Sequence, residues 1–260
     1  MIHTKEDLQE MIDYLGLDME PSNNPDDNGS PGSNFSPDLS RLLTGNYVFL
    51  PGKTGVYGTF AKGVHTLKAL AQTNNYLLDR PLTLEELMAV RIDKKELFDD
   101  WFKTCTGIAY PAGFNMHAQN PQEGRTDFKI VPFCEQLINI DKSHTGVSLL
   151  IDYDTLHGQV VDCTQDKYDT PLIEPEFLRH QGWKATFNGN EDLMKKIAKF
   201  VYDDQGKSEA LAFYLVNTAN RSELRALLVN NFLNYSNVFG DNDLGSDVRF
   251  LAIAPNHSSP

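Results

Sequence analysis

Apolar side chains recur every three or four positions through much of the first half of the chain, which is the spacing of one face of a helix. The pattern predicts helices over residues 64–78 and 84–91. Thr83 and Glu86 stand in front of the second helix at the spacing of a capping box, in which each side chain binds a free backbone amide. A helix is therefore expected to begin at this point.

A third helical pattern follows, with Asp93 and Glu96 as a second capping box. Its apolar stripe consists of Leu97, Phe98, Trp101, Phe102 and Cys105. We expect this helix to belong to the core, with Trp101 packed on the sheet that contains residues 147–151. If Trp101 is exposed instead, the stripe is a partner-binding face.

Short runs of β-branched and aromatic residues, separated by turn residues, occupy the middle of the chain. They predict an antiparallel meander with strands over residues 127–133, 136–140, 147–153 and 159–163. Two earlier runs, 47–50 and 56–60, predict strands on either side of a turn at 51–55.

The end of the chain alternates between the helical and the strand period. It predicts, in order, helix 191–202, strand 210–216, helix 221–235 and strand 248–254. The last three elements form a strand–helix–strand unit whose strands pair in parallel through a right-handed crossover. Together the patterns predict an α+β fold with a mixed, largely antiparallel sheet and flanking helices.

The first residues carry a short amphipathic pattern, and a polar segment separates them from the rest of the chain. Its apolar positions on one face are Leu8, Met11, Ile12 and Leu15. Residues 20–36 are mostly proline, serine, asparagine, aspartate and glycine, which predicts a flexible tether. We therefore expect a helical arm over 1–19, a tether over 20–36 and one globular domain over 37–260. Because so short a helix needs a covered face, the arm is expected to bind a protein partner or a second copy of the chain.

The net charge is −13, from 36 acidic and 23 basic residues. Such a surface repels phosphate groups, so we expect neither nucleic acid nor an anionic membrane as a partner. The basic residues are interspersed with the acids, whereas a mimic of nucleic acid would concentrate its negative charge. No apolar run approaches the roughly 20 residues of a membrane helix, and the first residues show no signal peptide.

The three cysteines, Cys105, Cys134 and Cys163, cannot all pair within one chain. They lie in or beside apolar segments, which indicates buried, reduced thiols. We therefore expect a cytoplasmic protein, or one assembled into a particle that is made in the cytoplasm.

Three short strings carry the most suggestive chemistry. They are Asp152-Tyr153-Asp154-Thr155 after an apolar strand, the strand end at Thr218, and Gly240-Asp241-Asn242-Asp243. The strings resemble the motifs of the haloacid-dehalogenase-type phosphatases. The resemblance implies a Mg²⁺-dependent phosphohydrolase with Asp152 as nucleophile, Asp154 as acid/base and Thr218 as phosphate ligand. Asp241 or Asp243 would then complete the metal site formed by Asp152 and Asp154. The alternative makes Asp152 and Asp154 the rim of a hairpin whose loop spans 154–158.

Two further motifs have structural explanations. Gly52-Lys53-Thr54 is similar to the end of a phosphate-binding loop, but Tyr47 occupies the position where that loop needs another glycine. We interpret it as a turn between strands. Cys105 and His117 could form a nucleophilic pair, yet Cys105 continues an apolar stripe, which predicts a packed core thiol.

Because the sequence carries no complete catalytic set, we prefer a non-enzymatic binding or assembly protein without a cofactor. A structural component of a larger particle, such as a phage or an injection machine, fits the arm, the tether and the acidic surface. An inhibitor or immunity-type protein fits them as well. The Mg²⁺-dependent phosphohydrolase is the alternative, and it requires Asp152, Asp154, Thr218 and Asp241 to converge.

Overall fold

The computed structural model describes residues 47–50, 56–74, 79–93, 101–230 and 236–255. The predicted arm, the tether and the turn at 51–55 lie outside these ranges. The described strands are β1 (Tyr47–Leu50), β2 (Val56–Gly58), β3 (Phe102–Tyr110), β4 (Phe114–Asn115), β5 (Asp127–Val131), β6 (Leu149–Leu150), β7 (Gln159–Asp162), β8 (Phe213–Tyr214), β9 (Thr218–Ala219), β10 (Glu223–Val229), β11 (Val238–Phe239), β12 (Val248–Phe250) and β13 (Ala252–Pro255).

The described helices pack around this framework. They are α1 (Phe60–Asn74), α2 (Leu84–Asp93), α3 (Glu135–Ile138), α4 (Glu174–Phe177), α5 (Gln181–Thr186) and α6 (Glu191–Ala198). A short 3₁₀ turn spans Cys163–Gln165, and a π-helical turn over Lys199–Asp204 extends α6. No helix within the described ranges combines the length and the apolar character that crossing a bilayer requires.

The long strands β3 and β10 form the centre of a nine-stranded sheet, in which they pair antiparallel. Around one half of this pair lie β5 with β7, next to β3, and β6, next to β10. Around the other half lie β12 with β2, and β11 with β8. Two of these pairings, β8 with β11 and β3 with β12, are parallel. The predicted α+β class, with a mixed and largely antiparallel sheet, is therefore confirmed.

The strand predicted at 47–50 exists and the one predicted at 56–60 exists over 56–58, with a helix beginning at Phe60, but the two strands do not pair with each other. Instead β1 pairs with β13 and β2 pairs with β12, both antiparallel. The first and last described strands of the chain thus lie side by side.

The predicted third helix is wrong where the structure describes it. Residues 102–110 form the central strand β3, every residue of which is buried. Trp101, just before it, is 45 % exposed rather than packed in the core. A strand covered on both faces has no alternation of polar and apolar residues, so its sequence imitates a helical stripe. Leu97 and Phe98 lie outside the described residues.

The predicted strand–helix–strand unit at the end of the chain is also wrong. Residues 223–229, expected in its helix, form strand β10, which lies between β3 and the pair β6 and β11. Pairing on both edges and burial on both faces outweigh the helical preference of leucine and alanine in this segment. A smaller error concerns 136–140, where the structure has helix α3 instead of a strand.

Two hydrophobic cores lie on opposite faces of the sheet, because neighbouring residues of β3 and β10 belong to different cores. The first core contains the fully buried Trp183 and Phe213, and the helices α4, α5 and α6 contribute to it. The second contains Phe60 and Phe250 and is covered by α1. Gly63 lets α1 approach this closely, since a Cβ there would come 2.0 Å from the Phe250 ring.

Two local predictions are confirmed in detail. The Thr83 amide donates to Glu86 Oε2 at 2.8 Å and the Glu86 amide donates to Thr83 Oγ1 at 3.1 Å, which is the predicted capping box in front of α2. Cys105, Cys134 and Cys163 are all buried and unbridged.

Candidate functional site

Three aromatic rings form a stacked row at the β8–β11 edge of the sheet. Tyr214 of β8 lies opposite Phe239 of β11, with ring centroids 4.8 Å apart and planes inclined by 6°. Trp101 stacks on the other side of Phe239 at 5.7 Å and 15°. We call Trp101, Phe239 and Tyr214 the aromatic row.

The aromatic row faces outward because of its position in the strands. Phe213 and Val238, which precede Tyr214 and Phe239, are fully buried in the first core, so the next side chains point to the other face. Tyr214 and Phe239 are partly exposed there, and Trp101 is the most exposed of the three. The row therefore offers ring surface from a framework of paired strands.

Buried hydrogen bonds hold the strand ends beneath the row. The Tyr110 hydroxyl, fully buried, donates to Gly240 O at 3.2 Å and accepts from the Val216 amide at 3.4 Å. The Gly240 amide donates to Tyr214 O at 2.8 Å. A Cβ at Gly240 would lie 2.8 Å from the Tyr110 hydroxyl and 2.9 Å from Ile108 Cδ1, so this close approach requires glycine. The strand ends are thereby held in one arrangement.

Two carboxylates flank Tyr214. Asp169 donates its amide to Phe213 O at 3.0 Å and accepts the Leu215 amide on Oδ1 at 2.9 Å, so it binds the backbone on both sides of Tyr214. Its backbone has the uncommon φ of 59°, which aspartate tolerates better than most residues. Asp241 directly follows Gly240, whose backbone amide donates to Tyr214 O.

Both carboxylates are held in surroundings that disfavour their charge. Partial burial raises the pKa of Asp169, and the negative charge of Asp241 raises it further, while His117 opposes the shift. Loss of hydration likewise raises the pKa of Asp241, and Arg225 opposes that shift. The pKa of Tyr214 is raised by burial and then by the two carboxylates. Neither Asp169 nor Asp241 takes part in an ion pair in the part of the chain that the structure describes.

Arg225 lies close enough to Asp241 to oppose the rise in its pKa that burial causes, and its guanidinium is already engaged. Nη2 forms an ion pair with Glu223 Oε1 at 2.8 Å, and Nη1 donates to the backbone oxygen of Asp241. Arg225 therefore contacts the main chain of Asp241 while its ionic partner is Glu223.

The residues of the predicted phosphatase site lie on separate elements. Asp152 and Asp154 are exposed on the loop after β6, where Asp152 Oδ1 accepts the Asp154 amide at 3.2 Å. Thr218 is exposed on β9, opposite Asn115 of β4. Asp243 Oδ1 accepts the Gly245 amide.

Among the described residues, no three histidine, cysteine or acidic side chains form a group able to hold a metal ion. The predicted Mg²⁺ set of Asp152, Asp154 and Asp243 is therefore not assembled. The hairpin alternative is wrong as well, because β6 pairs with β10 whereas β7 pairs with β5. Asp152 instead borders a surface groove of about 570 Å³, together with Phe133, Leu150 and His157.

The suggested Cys105–His117 pair is replaced by a packed core thiol, as preferred from the sequence. Cys105 is fully buried, and burial raises the pKa of its thiol to about 12, which keeps it protonated. His117 is exposed. A nucleophilic thiol needs a lowered pKa and access to solvent.

Sequence reasoning missed three residues of this surface, which are Asp169, Tyr214 and Phe239. It singled out Asp241 only in the phosphatase motif and expected Trp101 in the core. Each missed residue is a single aromatic or acidic residue in a different segment, and strand pairing alone brings them together. The exposure of Trp101 was the one signal foreseen, as the condition under which its stripe becomes a partner-binding face.

Comparisons with known proteins identify the fold. No family model matches the chain, and no curated protein matches it. One solved structure is similar, described as "Accommodation of massive sequence variation in Nanoarchaeota by the C-type lectin fold". The similarity has a TM-score of 0.56 at 13 % sequence identity and covers 81 % of this chain and 98 % of that one. The chain is therefore similar in fold to a C-type lectin fold protein, and the likeness extends to the fold alone.

Proposed function

We propose that this chain is a non-enzymatic binding protein that contacts its partner through the aromatic row. The observation that carries the proposal is the stack of Trp101, Phe239 and Tyr214, which offers ring surface to solvent from paired strands. Aromatic side chains contribute large contact areas at small entropic cost, which is why they dominate the energetics of binding surfaces. Because the strand ends beneath the row are fixed by Tyr110 and Gly240, little ordering energy is lost when a partner binds.

The similar fold supports a division between framework and surface. The description of the similar protein speaks of massive sequence variation accommodated by the C-type lectin fold. For this chain we propose the same division, with β3 and β10 as the framework and the β8–β11 edge as the surface that confers specificity. Trp101, Tyr214 and Phe239 belong to neither core, so a change of these side chains would leave both cores intact.

We further propose that the chain takes part in an assembly through its N-terminal arm. The arm, which lies outside the described residues, carries Leu8, Met11, Ile12 and Leu15 on one predicted face. This face would bind a protein partner or a second copy of the chain, as in a component of a larger particle. The negative net charge supports a protein rather than a nucleic acid as partner.

An array experiment tests the aromatic row. The full chain is applied to arrays of peptides and glycans, beside a Trp101→Ala/Tyr214→Ala variant and a Leu150→Ala control, in which a side chain that is 65 % exposed is shortened on another strand. We expect some array members to bind the wild type and the control but not the double variant. If every signal survives in the double variant, the aromatic row is not the binding surface.

A hydrodynamic experiment tests the arm. The molar mass of the full chain is measured by light scattering over a range of concentrations, and compared with a Leu8→Ser/Ile12→Ser variant. If the arm drives self-assembly, the wild type forms larger species that the variant does not form. Equal masses at all concentrations would exclude self-assembly through the arm and leave a different protein as its partner.

A further inference from the structure

We infer that the aromatic row binds the cationic side chain of a lysine or arginine in a basic segment of a partner protein, with Asp169 and Asp241 as its charge partners. The inference rests on the proposed function and names the chemistry of its ligand.

The geometry places two carboxylates near one aromatic ring: burial raises the pKa of Tyr214, and both carboxylates raise it further. Asp169 forms hydrogen bonds with the backbone of the residues before and after Tyr214. Asp241 follows Gly240, whose amide donates a hydrogen bond to Tyr214 O. The face of an aromatic ring attracts a cation through its quadrupole. A cationic side chain that lies over Tyr214 would therefore meet the ring and both carboxylates at once.

Neither carboxylate has an ion-pair partner in the described part of the chain. Burial raises the pKa of both, a shift that Arg225 opposes at Asp241 and His117 opposes at Asp169. The guanidinium of Arg225, however, forms its ion pair with Glu223. Two partly desolvated carboxylates close to each other are costly to ionise together, and a cation between them removes that cost. The net charge of −13 also attracts a basic partner over a longer range.

The remaining ring surface fits the stem of the same ligand. Phe239 and Trp101 continue the stack beyond Tyr214. Lysine and arginine carry an apolar stem of several methylene groups behind the charge, and this stem can pack against ring surface. A neutral sugar would also stack on the rings, but it would leave the two negative charges uncompensated.

Trp101 provides the readout for a direct test. The chain has 2 tryptophans. Trp183 is fully buried and its indole donates to Leu211 O at 2.9 Å, so its NMR signal serves as an internal reference. The isotope-labelled full chain is titrated with a hexapeptide of alternating lysine and glycine, and with the same peptide acetylated on every lysine. Acetylation removes the charge and preserves the chain length.

We expect the lysine peptide to shift the Trp101 indole signal in a saturable way and the acetylated peptide to leave it unchanged. In an Asp169→Asn/Asp241→Asn variant the affinity should fall by about tenfold or more, since both carboxylate–cation attractions are lost while the rings remain. The control is Asp152→Asn/Asp154→Asn, which removes two charges as well, from an exposed loop after β6, and should change the affinity less than about twofold. An unchanged Trp183 signal shows that each variant is folded.

Three results would overturn the inference. If the acetylated peptide binds as tightly as the lysine peptide, the row binds ligands but charge does not select them, and the proposed function stands. If Asp152→Asn/Asp154→Asn weakens binding as much as Asp169→Asn/Asp241→Asn, attraction is due to net charge alone. If neither peptide moves the Trp101 signal, the ligand is not a basic segment, and the arrays decide separately whether the row binds anything. Should Asp169→Asn/Asp241→Asn fail to fold, Asp241→Asn is compared with the single variant Asp154→Asn instead.

Discussion

Two pairs of aspartates in this molecule look alike in chemistry and differ in their surroundings. Asp152 and Asp154 are neighbours in sequence, lie exposed on one loop, and are bonded to each other through a backbone amide. Asp169 and Asp241 come from distant segments and meet beside Tyr214, where partial loss of hydration raises the pKa of both. The charges of the first pair are stabilised by water and by the hydrogen bond from the Asp154 amide to Asp152. The fold holds the second pair in partly buried surroundings, which disfavour the charged form of a carboxylate.

The difference shows where function is to be sought on such a surface. A carboxylate that is hydrated and locally bonded has little to gain from a ligand. A carboxylate that the fold keeps partly dehydrated and without an ion pair gains when a cation arrives. Closeness in sequence made the first pair conspicuous, whereas only the tertiary structure brings the second pair close to Tyr214.

The strongest way to break the second arrangement is Gly240→Ala. The added methyl group would clash with the Tyr110 hydroxyl and Ile108 Cδ1, so one side must move. We expect the free energy of unfolding to fall by about 1–3 kcal/mol, the usual cost of overpacking a well-packed site. Urea denaturation measures it, with Asp154→Ala on the exposed loop as a control expected to stay within about 0.5 kcal/mol of wild type. A Gly240→Ala protein as stable as the control would show that the contact is loose.

Removal of the Tyr110 hydroxyl should have a smaller effect. Tyr110→Phe leaves Gly240 O and the Val216 amide without their buried partner. We expect a loss of about 1–2 kcal/mol in the free energy of unfolding, because buried polar groups then remain unpaired. Tyr214→Phe is the matched control, since it removes the same hydroxyl group from a partly exposed ring and should cost well under about 1 kcal/mol. Equal losses in the two variants would contradict the role given to Tyr110.

Asp169→Asn should reveal the cost of the charge beside Tyr214. Because the folded pKa of Asp169 is raised, its contribution to stability is present below the unfolded value of about 3.9 and is lost as the pH rises through the folded value. Asparagine keeps an oxygen for the Leu215 amide and tolerates the positive φ, yet carries no charge. The variant should therefore gain stability relative to wild type as the pH rises from acid to neutral.

Thermal unfolding between acid and neutral pH measures this difference. The charged and titratable groups near the carboxylate are Asp241 and His117. Asp169→Ala serves as the comparison, because it removes both the charge and the acceptor for the Leu215 amide and should be less stable than Asp169→Asn at every pH. A stability difference that does not vary with pH would mean that the carboxylate is fully hydrated.

The least disruptive test uses fluorescence quenching by acrylamide. Trp101 is 45 % exposed and Trp183 is 0 % exposed. We expect one quenchable and one protected population of emission, and only the protected one in Trp101→Phe. Ligands that cover the aromatic row should protect Trp101, whereas ligands in the groove beside Asp152 should not. Uniform quenching of both tryptophans would contradict the packing of the first core.

The sequence predicted local features well and central strands badly. The capping box of Thr83 and Glu86 depends on neighbours in the chain, so the pattern was sufficient. The segments 102–105 and 223–229 were assigned to helices because leucine, alanine and closely spaced aromatic residues favour a helix. Both are covered on each face and paired on each edge, and such burial outweighs intrinsic preference.

The candidate site illustrates the same limit. Asp152 and Asp154 were noticed because they form a motif within four residues, and the structure does not assemble a metal site around them. Trp101, Tyr214 and Phe239 carry no pattern in common, and their proximity depends on the pairing of β8 with β11 and on the path of the chain into β3. Pairing between distant segments is not encoded in the periodicity of either segment.

The pairing of β1 with β13 has a consequence for how the molecule is made. Tyr47 lies opposite Pro255, so the first described strand can pair only after almost the whole described chain has been synthesised. β3 likewise depends on β10 and β12, which are synthesised much later. A topology dominated by such distant pairings folds slowly, because the entropy of closing long loops is lost before the contacts form. On the ribosome, the sheet cannot close until the last strands have emerged, and until then the edge of β3 is open to the wrong partners.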